Sequence, residues 1–145
     1  MSQPYVSTST AIPELTADAG DQFDDDREII QALVTAGALV ALADGRASDI
    51  ERDELRNFIA RQGFAPSISS DEVAATFDNR VRQLDERYSP NIIVEALRPL
   101  AGLSLTSIVL RTAERVAAAD GKIHPAEEQA IKLIRLIMMT LPGNP

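Results

Sequence analysis

Four acidic residues with a shared spacing are the part of this sequence best suited to chemistry. Asp44 is followed seven positions later by Glu51, and Asp120 is followed seven positions later by Glu127. In both places an Ala-rich stretch runs into Asp-Gly, and a basic residue comes next. Carboxylates grouped around a turn offer the oxygen ligands that hard divalent cations such as Ca²⁺ and Mg²⁺ prefer. The four residues are therefore candidate ligands of a metal ion.

The glycines and glutamates of these two Asp-Gly corners also have a purely structural explanation. Gly45 and Gly121 are of the type that ends a helix, because glycine adopts the left-handed conformation without steric penalty. Ser48 and Glu51 have the spacing of a capping box, in which the glutamate reaches back to the N-cap amide. The repeated glycine and glutamate therefore indicate a helix end followed by a helix start.

The aspartates are not explained in this way. Asp44 and Asp120 fall at the carbonyl end of a helix, where a negative charge is unfavourable by about 0.3–1 kcal/mol. An ordinary EF-hand is excluded, because Val116 and Ala118 would occupy its first and third ligand positions. The residues alone leave two interpretations open, a weak all-oxygen metal site and a metal-free structural corner.

Composition narrows the functional class. The 145-residue chain carries 22 acidic and 14 basic side chains, a net charge of −8, which argues against nucleic-acid binding through phosphate contacts. It has no cysteine and a single histidine, His124, which removes thiol catalysis and multi-histidine metal sites. No signal peptide or membrane-spanning segment is predicted, so a cytoplasmic location is expected. Without a phosphate loop or a nucleophile elbow, the sequence predicts a non-enzyme.

Apolar residues recur at helical spacing throughout, and no stretch alternates as a strand would. The sequence predicts an all-α bundle of about six to seven helices, built from two like helical hairpins that form an internal pseudo-repeat. Capping residues, prolines and Asp-Gly turns predict the boundaries. The six predicted segments run from Asp24 to the first Asp-Gly, from Ser48 to about Gly63, from Ser69 or Ser70 to Tyr88, from Pro90 to Pro99, from Gly102 to the second Asp-Gly, and from Pro125 to Leu141.

Two regions are predicted along the chain. Residues 1–22 are polar and show no periodicity, so we predict a flexible N-terminal arm. The arm carries Tyr5, Val6, Ile12 and Leu15, which would allow it to dock on another surface. Residues 23–145 are predicted to form a single all-helical domain.

The paired corners resemble those of the TerB-like family of tellurite-resistance proteins. The likeness extends over about residues 29–141, and its most specific part is Ala118-Ala119-Asp120-Gly121-Lys122-Ile123 with Glu127. The resemblance implies an all-helical, non-catalytic accessory protein that is cytoplasmic and peripheral at the inner membrane. It also implies binding of a divalent metal through Asp44, Glu51, Asp120 and Glu127, with Ca²⁺ or Mg²⁺ most compatible with such ligands.

Two functions follow as expectations. The first is a metal-binding module within a membrane-associated stress-response or metal-handling complex, with a membrane-protein complex as partner. The second is a metal-free helical adaptor that binds a protein partner through its N-terminal arm and last helix. An enzyme that uses carboxylates alone for acid–base chemistry is the least supported class.

Overall fold

The structure, a computed structural model, describes residues 25–87, 89–101 and 105–141. The predicted arm at residues 1–22 lies outside the described residues, and so do Tyr88 and Gly102. Within the described ranges, no helix combines the length and the apolar content that crossing a bilayer requires.

Within these described ranges, six α-helices pack as a bundle, as the hydrophobic periodicity predicts. The first helix, α1, is described over residues 25–42. The others are α2 (Asp49–Gln62), α3 (Ser70–Glu86), α4 (Pro90–Leu97), α5 (Thr106–Ala117) and α6 (Pro125–Thr140), with a 3₁₀ turn at Arg98–Leu100. Helix α2 packs against α3 and α5, and α5 packs against α6. The all-α prediction is confirmed, whereas a two-fold relation between the hairpins stays a prediction.

Local sequence signals explain most of the boundaries. The hydroxyls of Ser48 and Ser69 accept hydrogen bonds from the third amide of α2 and α3, and each serine forms a capping box, as predicted for Ser48. One boundary differs in detail, because α4 stops at Leu97 and Pro99 lies inside the 3₁₀ turn. Proline removes an amide donor and clashes with the preceding helical turn, but a 3₁₀ turn tolerates it near its start.

Helix α1 is the centre of the bundle. Every residue from 32 to 41 is buried, so the helix is covered on all sides. Gly37 permits this, because a Cβ atom placed there would lie 3.3 Å from Val116 Cγ2 of α5 and 3.4 Å from Leu55 Cδ1 of α2. The absent side chain lets the α1 backbone approach two neighbouring helices closely. This approach sets where α1 ends relative to the start of α2.

Replacement of Gly37 by valine should destabilise the fold. The substitution adds three carbon atoms where even a Cβ meets Val116, so we expect a loss of about 1–3 kcal/mol in the free energy of unfolding. Urea denaturation followed by circular dichroism measures it. Ala60→Val, on the exposed face of α2, serves as the control for the low helix propensity of valine. Equal losses in both variants would contradict the close contact at Gly37.

Candidate metal centre

The two Asp-Gly corners have nearly the same backbone. Gly45 and Gly121 take φ values of 104° and 103°, in the left-handed region that the sequence predicted. Their amides donate to Leu42 O and Ala118 O at 2.9 Å in each case. No atom lies within 4 Å of a Cβ built on either glycine, so the backbone conformation alone demands glycine here.

Three of the four candidate carboxylates converge. One oxygen each from Asp44, Glu51 and Glu127 lies within 4.8 Å of the other two. Glu51 and Glu127 are buried, with 7% and 1% of their surface exposed, and Asp44 is exposed. The three residues come from the turn after α1, the first turn of α2 and the first turn of α6. The bundle therefore joins the first Asp-Gly corner to the helix start of the second one. We call Asp44, Glu51 and Glu127 the acidic triad.

Helix capping orients both glutamates of the acidic triad. Glu51 Oε1 accepts hydrogen bonds from Ser48 N at 2.8 Å and from Ser48 Oγ at 3.0 Å. Glu127 Oε1 accepts from His124 N at 2.9 Å. Among the described residues, neither Oε2 atom has a hydrogen-bond partner. Each glutamate thus uses one oxygen as a cap and retains a second oxygen for another role.

The acidic triad has no internal counterion in the described part of the chain. No lysine, arginine or histidine there forms an ion pair with any of the three carboxylates, and Asp44 makes no hydrogen bond. Burial raises the pKa of Glu51 from its ordinary value of 4.5, and the charges of Asp44 and Glu127 raise it further, while the hydrogen bonds from Ser48 lower it. The fold therefore disfavours the charged form of Glu51, which is the condition that a bound cation would relieve.

Asp120 does not join the acidic triad. Its Oδ2 atom lies 3.3 Å from His124 Nε2, and its Oδ1 accepts from Lys122 N at 3.4 Å. The hydrogen bond from His124 is the main reason that the pKa of Asp120 is lowered. The first corner has Ser48 where the second has His124, and the short serine side chain cannot hold Asp44 in the same way. The fourth predicted ligand therefore lies apart, paired within its own corner.

The donor set of the acidic triad fits a hard cation. Two oxygens bound to one Ca²⁺ ion lie at most about 5 Å apart, twice the Ca–O bond length, and the corresponding limit for Mg²⁺ is about 4 Å. The spacing within the triad meets the Ca²⁺ limit, whereas Mg²⁺ would require a slight contraction. Ca²⁺ takes six to eight oxygen ligands. If each carboxylate binds through one oxygen, the triad supplies half of these ligands or fewer. Water or carbonyl oxygens would complete the coordination shell.

Glu51→Gln tests the electrostatics of the triad in chelator-treated protein. Because the pKa of Glu51 is raised on folding, its contribution to stability is fully present below pH 4.5 and is lost as the pH rises through the folded pKa. Glutamine keeps the cap to Ser48 N and removes the charge. At pH 7 the variant should match or exceed the wild type by on the order of 1 kcal/mol, the Coulomb energy of nearby like charges in a largely aqueous setting.

Urea unfolding between pH 2.5 and pH 8 measures this difference. Asp120→Asn is the matched control and should show the opposite dependence, since the lowered pKa of Asp120 supports the fold above pH 3.8 and that support is lost on acidification. A Glu51→Gln variant that is markedly less stable than the wild type at pH 7, but not at pH 4, would contradict the proposed repulsion.

Comparison with known proteins places most of the chain in one group. The family described as tellurite resistance protein TerB matches residues 30–139, a stretch that includes α2 to α5, both Asp-Gly corners and the whole acidic triad. No match was found among curated proteins or among solved structures. The family match covers well over half of the 145 residues, and the all-α bundle is the fold that the resemblance implied. The chain therefore belongs to the TerB family of tellurite resistance proteins.

Proposed function

We propose that this TerB-family protein binds one hard divalent cation through Asp44, Glu51 and Glu127. The observation that supports the proposal is the convergence of three carboxylates, two of them buried, without a basic partner in the described ranges. Burying like charges together is unfavourable unless a counterion or a proton compensates them. A cation at this place would turn the repulsion into an attraction that links α1, α2 and α6.

The proposed role is that of a non-enzymatic accessory module. A metal held between three helix ends joins elements that are far apart in sequence, so its binding stabilises their relative position. We propose that the module works at the cytoplasmic side of a membrane-associated stress-response or metal-handling complex. Asp120 remains outside the proposed ligand set, since its carboxylate is engaged by His124.

The expected affinity is weak. A site with three protein carboxylates and several waters falls near the lower end of calcium-binding modules, with a Kd of about 0.1–1 mM. A ligand present at roughly 100 times its Kd stabilises the folded state by about 2.7 kcal/mol. For a domain of this size that corresponds to a rise in Tm of roughly 5–10 °C.

Isothermal titration and thermal unfolding with Ca²⁺, Mg²⁺, Mn²⁺ and Zn²⁺ test the proposal. We expect saturable binding of Ca²⁺ and Mg²⁺, since all-oxygen sites favour hard cations over Zn²⁺. Glu127→Gln keeps the bond from His124 N but removes a ligand charge, and it should weaken binding by about tenfold or more. Asp44→Asn should act in the same direction.

Two matched controls sharpen the test. Asp120→Asn removes the sequence twin of Asp44, and Glu128→Gln removes the exposed neighbour of Glu127. Both should leave the Kd within a factor of about two, because only weak screened charge effects act at exposed positions. Absence of binding in the wild type, or equal Kd values in the triad variants and the wild type, would refute the metal site.

A second candidate function is favoured by the surface of α6. Leu133, Leu136 and Met139 are 38%, 58% and 75% exposed, and their spacing places them along one face of the helix. Lys132 and Arg135 lie exposed beside them. Contiguous exposed apolar side chains with basic neighbours are typical of helix faces that bind another protein. We propose this face, named the α6 face, as the surface of a metal-independent adaptor.

Site-specific photocrosslinking distinguishes the two functions. A photoreactive amino acid at Leu136 should capture a defined partner in the native cell, whereas the same group at exposed Asn57 of α2 should not. Under the adaptor function the crosslink persists after Asp44→Asn and after chelation. Equal labelling from both positions would contradict a specific α6 face, and loss of the crosslink on chelation would make partner binding dependent on the metal.

A further inference from the structure

A cavity of about 600 Å³ lies between α1, α3 and α4, away from the acidic triad. Ile92 and Ala96 of α4 and Pro99 of the 3₁₀ turn supply its apolar wall, and Gln31 and Arg80 supply its polar side. The size and the mixed lining are those of a ligand-binding pocket. Neither residue of the polar side was singled out by the sequence, where an arginine at helical spacing looks like any surface cation.

Arg80 lines this cavity without an ion-pair partner among the described residues, and the same is true of Glu28. Its guanidinium donates to Gln31 Oε1 and forms no ion pair with any described residue. Glu28 and Glu95 line the same cavity, but Glu95 pairs with Arg98 at 3.4 Å instead. Burial lowers the pKa of Arg80, and a guanidinium offers five donors, of which Gln31 occupies one. A carboxylate is the group best suited to accept hydrogen bonds from the remaining N–H donors of this partly desolvated guanidinium.

The first turn of α4 adds to this preference for an anion. Asn91 and Ile92 of that turn line the cavity, and Ser89 at the N-cap makes no side-chain hydrogen bond to the helix. The first turn of α4 therefore borders the cavity and has no side-chain cap among the described residues. Arg80 and this helix end favour the same kind of ligand, a negatively charged group attached to an apolar body.

The chain itself contains a segment with this chemistry. Residues 1–24 include four carboxylates and no lysine or arginine. Glu14 and Asp18 flank Leu15, and Ile12 lies just before them. The segment leads directly into α1, whose residues 27, 28 and 31 line the cavity.

The reach of the segment is sufficient. Gln31 lies roughly 9 Å along the helix axis from residue 25, at 1.5 Å per residue. The seven residues from Asp18 to residue 25 span up to roughly 25 Å when extended. The acidic residues of the segment can therefore turn back along α1 as far as Arg80.

We propose that residues 12–18 dock in the cavity between α1, α3 and α4, with Ile12 and Leu15 on its apolar wall and a carboxylate of Glu14 or Asp18 on Arg80. Docking covers the apolar wall and supplies the missing negative charge in a single step. The contact is intramolecular, so no partner concentration is required and a weak interaction suffices. It does not depend on the acidic triad.

Paramagnetic relaxation in the full chain tests the docking. The sequence has no cysteine, so Thr16→Cys provides a single attachment site for a spin label. Amide signals of Ile92 and Ala96 should be strongly broadened, and those of Leu133 and Leu136 on the α6 face should not. Glu14→Gln with Asp18→Asn should reduce the ratio of docked to undocked chains by roughly tenfold, the loss of one charge-assisted hydrogen bond.

Arg80→Gln should give the same loss, and Arg82→Gln is its control, because Arg82 bonds Asn79 on the exposed side of α3. The Glu14/Asp18 variant leaves every residue of the bundle unchanged, so its result stands even if Arg80→Gln perturbs folding. Broadening that is uniform over the surface, or unaltered by the Glu14/Asp18 variant, would overturn the proposal. The proposal would also be overturned if the spin label did not broaden the amide signals of the cavity while added decanoate shifted them in an Arg80-dependent way. A separate carboxylate would then be the occupant.

Discussion

The close approach of α1 to α2 and α5 at Gly37 is the constraint on which the rest of the arrangement depends. A Cβ atom at this position would lie 3.3 Å from Val116 Cγ2 and 3.4 Å from Leu55 Cδ1, so the packing leaves no room for a larger side chain. The buried stretch from 32 to 41 then covers α1 on all sides. Because α1 is central, the place where it ends determines where the first Asp-Gly corner lies. The acidic triad is a consequence of that position.

The triad and Arg80 carry charges of opposite sign, and both lack a partner of opposite charge among the described residues. At the triad, three carboxylates lie together with no cation among the described residues. At Arg80, a partly buried guanidinium has a side-chain amide as its one partner among the described residues. Several other described arginines pair with acids, as Arg56 does with Asp53 at 3.4 Å. The acidic triad and Arg80 each place a charge where water is partly excluded. This raises the free energy of the isolated bundle and favours a ligand of opposite charge.

The two corners show how one residue can divide a repeated motif. Their backbones agree closely, with φ of 104° at Gly45 and 103° at Gly121. The side chains then differ because His124 reaches Asp120 through its ring, whereas the Ser48 hydroxyl bonds to Glu51 and Asp44 has no side-chain partner among the described residues. The aspartate that its own corner does not engage is the one that joins the triad. A repeated sequence motif thus yields two different electrostatic environments.

The sequence by itself determined the local structure of this protein. Hydrophobic periodicity predicted the helices, and serine caps, Pro90 and the two Asp-Gly turns predicted their ends, because these signals act through hydrogen bonds and dihedral angles within a few residues. Four acids were singled out as candidate ligands, of which the structure brings three together, and the paired corners indicated the family. Glu51 was correctly expected to serve as a cap at the third helical position.

Only the tertiary structure decided which acids meet. Asp44 and Glu127 are 83 positions apart, and nothing in the residues between them states that the turn after α1 lies beside the first turn of α6. That proximity arises from helix packing around Gly37, a property of the assembled core. Asp120 lies apart from the triad for a local reason, because His124 engages it within its own corner. The sequence gives the order of the charged residues along the chain. Helix packing sets the distances between them, and those distances determine their interaction energy.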